Sequence, residues 1–198
     1  MKNNLLSDKL AYNGDTKTRT HLHLCSYTVD RVEEAAGDDF GEMKSRFQPD
    51  GITWLQIHGL EDTDAVQTVC THFGIDFLVM QDILNTDHAS KVEEHDQYNV
   101  IIAKQIMGGE AMQVSLVQGA DFVLTFQERD NDFFDDVMRA IRNNVLKIRT
   151  RQSDYLFSVL LNGLITGYMS VAAAISDGLE ELESALLADT GDRDIGVQ

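Results

Sequence analysis

The feature that most limits how this chain can fold is a run of 22 residues without a single charge, Tyr155 to Ser176. A helix of that length is long enough to cross a bilayer; the run contains Gly163-x-x-x-Gly167, a spacing that lets two helices approach closely, and it follows the basic pair Arg149 and Arg151. Ser158, Asn162, Thr166 and Ser170 dilute its apolar character, and Asp154 and Asp177 bracket it. The small residues Gly163, Gly167, Ser170 and Ala174 also suit a helix lying close against a sheet. The residues leave two readings open, a membrane span or a helix buried against protein, and the pattern favours burial.

The remainder of the chain reads as strands and short helices. His21 to Thr28 (HLHLCSYT) alternates with a period of two, the signature of a strand, and Val29 to Phe40 turns acidic and reads as loop or helix. A second strand, Ile52 to Ile57, closes at Gly59. Asp62, Thr63 or Asp64 caps the helix that follows, with Val66, Val69, Cys70 and Phe73 at helical spacing, and a short helix Phe77 to Leu84 comes next. From Lys91 to Glu128 the strand period returns, interrupted by Gly108-Gly109 and Gly119-Ala120-Asp121, which predicts an antiparallel meander. Asn131 to Arg151 reads as one helix with an acidic start and a basic end, as the helix dipole favours. The expected fold class is α/β in the α+β sense: a mixed, largely antiparallel sheet sandwiched by helices (α/β/α) and ending in a long helix. The expected organisation is a polar leader over 1–20, the α/β/α domain over 21–151, the long helix over 152–187 packed on that domain, and a polar tail over 188–198.

Thirty-three acids against 16 Lys and Arg give a formal net charge of −17. Such a surface repels nucleic acid and anionic lipid and attracts cations. Two cysteines, Cys25 and Cys70, are too few for a disulfide framework and suit a reducing compartment. The first 20 residues hold no continuous apolar stretch of the secretory kind. The chain has no Gly-rich phosphate loop, no Gly-x-Ser-x-Gly elbow and no His-Glu-x-x-His, so nothing points to an enzyme and no catalytic residue is assigned. His21-x-His23-x-Cys25 offers three donors on one face of a strand. Consecutive same-face side chains stand too far apart to chelate one ion without bending, and Cys70 and His72 could join only if the fold brought them near, so zinc is not expected there.

The order of five segments, GITWLQIHGL, THFGIDFLVMQDILN, KVEEHDQYNVIIAKQI, QVSLVQGADFVLTFQE and RQSDYLFSVLLNGLITGYM, resembles the soluble domain of the CorA family of magnesium transporters, with Asp82-Ile83-Leu84-Asn85 the most specific piece. The resemblance implies an α/β/α domain on the cytoplasmic side of the cell membrane, part of an integral membrane protein whose transmembrane stalk and Gly-Met-Asn pore motif lie beyond this sequence. It implies a pentamer of five copies, no nucleic-acid partner, and no direct insertion of this portion into the membrane. It also implies that the long helix packs on the domain. Weak, regulatory Mg²⁺ would bind between subunits, with Asp82 as the matching metal ligand, and gate the protein by Mg²⁺-dependent subunit association. Gln81 stands where relatives often carry a second acid, and Thr166 and Gly167 where they often carry an acidic pair. The alternatives are a zinc-exporting relative of the same superfamily and a free-standing acidic binding module.

Overall fold

The computed structural model describes residues 9–191, with side chains described to Leu187. Seven strands form one sheet: β1 His21–Tyr27, β2 Val32–Gly37, β3 Ile52–His58, β4 Lys91–Glu94, β5 Tyr98–Met107, β6 Glu110–Gly119 and β7 Phe122–Gln127. Their order is β2-β1-β3-β7-β6-β5-β4. All neighbours are antiparallel except β3 and β7, whose parallel pairing sets Trp54 opposite Val123 and His58 opposite Gln127. A parallel pair needs a long crossover, and here the chain between its strands supplies two helices and the rest of the meander before β7 returns beside β3.

Alternation along the central strands divides the core into two faces. Leu22, Leu24, Leu55 and Ile57 face helices α1 Phe40–Lys44, α2 Thr63–His72 and α3 Phe77–Leu84. Cys25, Trp54, Val114 and Leu116 face α4 Asp135–Arg142, a 3-10 helix Val145–Thr150, and α5 Ser153–Gly191. The result is the mixed, mostly antiparallel sheet between helices that the sequence predicts. The start of α2 is fixed by Asp62, whose Oδ1 accepts the Ala65 amide at 3.0 Å.

Two expectations need correction. The acidic stretch after β1 is an outer strand, β2, rather than loop or helix; its sequence VEEAAG shows no clean alternation, because an edge strand buries little and is protected by charge. The helix expected over Asn131 to Arg151 is broken. It ends at Arg142, and Asn144 adopts a left-handed backbone (φ 50°), a conformation that Asn tolerates better than most residues. The Asn144 side chain accepts the Arg149 amide at 3.2 Å, so the new direction is held by a local bond.

A third point concerns the extent of packing of α5, expected as a long helix packed on the domain over 152–187. It crosses β5, β6 and β7 and buries Leu156, Leu160 and Leu164, spaced four residues apart on one face. Tyr168 donates a last hydrogen bond back to the domain, to the Lys104 carbonyl. Beyond that point Met169, Ile175, Leu179 and Leu182 are 59–68% exposed. By length and composition α5 is the one described helix apolar enough to cross a membrane. The polar tail expected over 188–198 lies beyond the described side chains, and residues 1–8 of the leader lie outside the described residues.

At a concentration where sedimentation shows monomer, Leu160→Ala should cost about 3 kcal/mol in urea unfolding, because it empties a fully buried site. Leu179→Ala should cost less than about 0.5 kcal/mol, as surface changes do. Equal losses would mean that the outer half of α5 is packed as firmly as the inner half.

Candidate functional site

Asp82 lies near the end of α3, a helix whose apolar residues face the sheet, and this leaves the Asp82 side chain 17% exposed at the rim of the domain. Its carboxylate is already engaged. Lys91, at the start of edge strand β4, donates to Asp82 Oδ2 at 2.5 Å, and His88 Nε2 lies 3.4 Å from Oδ1. The same Lys91 ammonium reaches Glu93 Oε1 at 2.9 Å, so one cation bridges two carboxylates. His95 lies 3.6 Å from Glu93 and 3.4 Å from Asp76, beside these carboxylates on the same rim.

Burial works against the Lys91 charge, but its bonds to Asp82 and Glu93 outweigh that and hold its pKa above the ordinary lysine value. The hydrogen bond from Lys91 holds Glu93 below the usual carboxylate range. Beneath the ion pairs, Gln113 Nε2 donates to the Ile83 carbonyl at 3.0 Å and to the Asp82 carbonyl at 3.3 Å, anchoring the end of α3 on β6. A hard divalent ion would meet here oxygen ligands already shared with an ammonium. It would bind weakly, keeping most of its own waters. The positions that lack the expected acids are occupied otherwise: the Thr166 hydroxyl donates to the Asn162 carbonyl at 2.9 Å, and Gly167 lies where an added side chain would approach Phe133.

The strand constellation His21, His23 and Cys25 is not a ligand set. Cys25 is fully buried opposite Trp54, and burial pushes its thiol up to about 12. Cys70 sits in the other face of the core, its thiol likewise pushed up to about 12 by burial, and His72 packs among Phe40, Phe47 and Phe73. His21 is bonded to Asp38, 2.6 Å away. His23 instead meets His58 of β3 and Asp130 of the loop after β7. Sequence reading passed over His58 because the register of β1 against β3, which alone makes the two histidines neighbours, is not written in local spacing.

A second missed feature was legible. Ile165, Tyr168, Ala172, Ile175, Leu179 and Leu182 follow one another at alternating steps of three and four, the seam of a coiled coil, with Asp177, Glu180, Glu181 and Glu183 beside it. Every one of these seam residues is exposed. Reading the charge-free run as a single block hid the repeat, since the seam starts inside that run and continues past it into charged helix.

Residues 49–197 match the family described as CorA-like Mg²⁺ transporter protein. The chain is 32% identical over 192 residues to the cobalt/magnesium transport protein CorA of Thermotoga maritima, covering 94% of this chain and 55% of that protein. The chain therefore belongs to the CorA family, a family of transporters and not of enzymes, and it spans about half the length of that curated relative. The soluble domain of CorA from Methanocaldococcus jannaschii shares its fold with a TM-score of 0.62 at 19% identity, over 83% of this chain and 64% of that one. The ZntB cytoplasmic domain from Vibrio parahaemolyticus gives a TM-score of 0.57 at 10% identity, over 81% and 64% respectively.

Lys91→Met should lower stability by about 1–3 kcal/mol, because it strands Asp82 beside Glu93 without a cation. Adding Asp82→Asn should return part of that loss in urea unfolding. Strictly additive losses would show that the two residues are not coupled.

Proposed function

We propose that this chain is the cytoplasmic regulatory portion of a CorA-like divalent-cation transport protein, and that it answers to Mg²⁺ through association of its copies. The observation that carries this reading is the exposed seam of α5. A lipid-facing helix is apolar all round, whereas here a heptad stripe runs beside Asp177, Glu180, Glu181 and Glu183, which suits burial against other helices in water. Membership of the CorA family supplies the transported class, and the name of the Thermotoga maritima relative supports magnesium with cobalt as the ions concerned.

Asp82 is the proposed regulatory ligand. Copies that each carry a formal charge of −17 repel one another, and a divalent ion held between them lowers that repulsion. Mg²⁺ would displace or share Lys91 at Asp82 and bridge through its waters to a neighbouring copy, favouring the closed ring when the ion is abundant and releasing it when scarce. The assembly would be a pentamer joined to its own transmembrane stalk at the cytoplasmic face of the membrane. The rival within the superfamily is zinc export, which the shared fold does not distinguish. Transport assays on a protein that includes the membrane part distinguish the two.

Calorimetric titration with Mg²⁺ should give weak binding that Asp82→Ala reduces at least fivefold, and sedimentation at high Mg²⁺ should show association that Leu182→Asp abolishes. Identical isotherms for the wild type and Asp82→Ala would remove Asp82 from the mechanism. Association unchanged in Leu182→Asp would remove the seam.

A further inference from the structure

At the carboxyl ends of the parallel pair, the place where open sheets of this kind most often hold ligands, β3 ends in His58 and β7 runs on into Glu128, Arg129 and Asp130. Strand β1 is antiparallel to β3, so its first residues reach the same end of the sheet. In that register His21 pairs with His58, and His23 lies diagonally across from His58 on the same face. The His23 and His58 ring centroids are 5.0 Å apart. Asp130 Oδ1 stands 3.2 Å from His58 Nδ1 and 4.0 Å from His23 Nε2. One donor atom from each of the three residues falls within 4.8 Å of the others.

Ordinary packing leaves part of this arrangement unexplained. His58 is 2% exposed; its Nδ1–H donates to the Arg129 carbonyl at 3.3 Å, and its Nε2 is buried with no hydrogen-bond partner. The Nε2 of His23 is buried and without a partner in the same way. Two buried ring nitrogens side by side are each costly when unmet.

The third member is held in place. Asn131 Oδ1 accepts from Gln127 Nε2 at 3.0 Å and from Gln105 Nε2 at 3.3 Å, while its Nδ2 donates to the Arg129 carbonyl at 3.1 Å. The loop bearing Asp130 is thereby pinned to the buried ends of β5 and β7. His23 also borders a cavity lined by Gln56 and Asp135.

From these contacts we infer that His23, His58 and Asp130 form a binding site for a first-row divalent transition ion of the Zn²⁺ or Co²⁺ kind, separate from the Mg²⁺ site proposed at Asp82. Two imidazoles and one carboxylate match the ligand preferences of such ions and are poor partners for Mg²⁺, which prefers oxygen alone. Tetrahedral ligands about 2.1 Å from zinc stand about 3.4 Å apart. The donor atoms now stand up to 4.8 Å apart, so a bound ion would draw the two rings and the exposed Asp130 side chain together. The bond from His58 Nδ1–H to the Arg129 carbonyl is the support that ligating histidines usually carry.

The tag-free full chain, stripped with EDTA, should bind one equivalent of Zn²⁺ in calorimetry with millimolar Mg²⁺ present. His23→Ala and Asp130→Asn should each weaken zinc at least tenfold, with circular dichroism reporting that both remain folded; neither change empties a buried apolar site. Asp82→Ala should leave the zinc isotherm unchanged, so failure of the zinc site and failure of the Mg²⁺ reading are separate results. Added Co²⁺ should give a visible ligand-field band without a thiolate charge-transfer band. The inference is overturned by a wild-type chain that does not bind zinc, by unchanged affinity in either variant, or by a thiolate band pointing to Cys25.

Discussion

The last helix is longer than the surface available to cover it. Ser153–Leu187 as an α-helix runs about 52 Å at 1.5 Å per residue, whereas seven strands at about 4.8 Å spacing span only about 29 Å between the outermost two. No arrangement of this sheet buries all of that helix. The sequence meets the mismatch by changing character along α5: Leu156, Leu160 and Leu164 bury one face against β5, β6 and β7, after which an exposed heptad stripe runs on past the last contact at Tyr168. The sheet domain and the exposed outer turns are thus two consequences of one helix.

The single parallel pair organises the rest. Joining β3 to β7 fuses two antiparallel units, β2-β1-β3 and β7-β6-β5-β4, into one sheet, and it brings the ends of β3 and β7 to one edge with the start of β1. Asp82 lies elsewhere, at the rim where α3 meets edge strand β4, and there its carboxylate is bonded to the Lys91 ammonium. The two regions differ in donor chemistry as well as in place. A rim of carboxylates already bridged by Lys91 suits a weakly held, hydrated ion, and a buried His58 beside a partly exposed His23 suits a borderline-soft one.

Much of this was legible in the residues. The alternation in HLHLCSY and ITWLQIH, the Gly-Gly turn at 108–109 and the cap at Asp62 each encode a local structure that forms as read. Local signals failed where the structure depends on something distant. The edge strand VEEAAG has no pattern of its own and exists because β1 offers it a ladder. The break at Asn144 coincides with a left-handed backbone, after which Ile148 is buried, and periodicity over Asn131 to Arg151 does not reveal it. The encounter of His23 with His58 and Asp130 depends on strand register and on the pinned loop after β7, neither visible along the chain. The heptad of α5 was present in the sequence throughout, and was obscured by treating the uncharged run as one object.

Native-state hydrogen exchange along α5 in dilute monomer tests the account most directly, since it reads where the sheet ceases to protect the helix. The account predicts slow exchange for amides around Leu156 to Leu164 and fast exchange from about Ala172 onward, with protection spreading outward as copies associate. Uniform slow exchange over the whole helix in the monomer would contradict it, because the outer turns would then be held by this domain alone and would have no need of a partner.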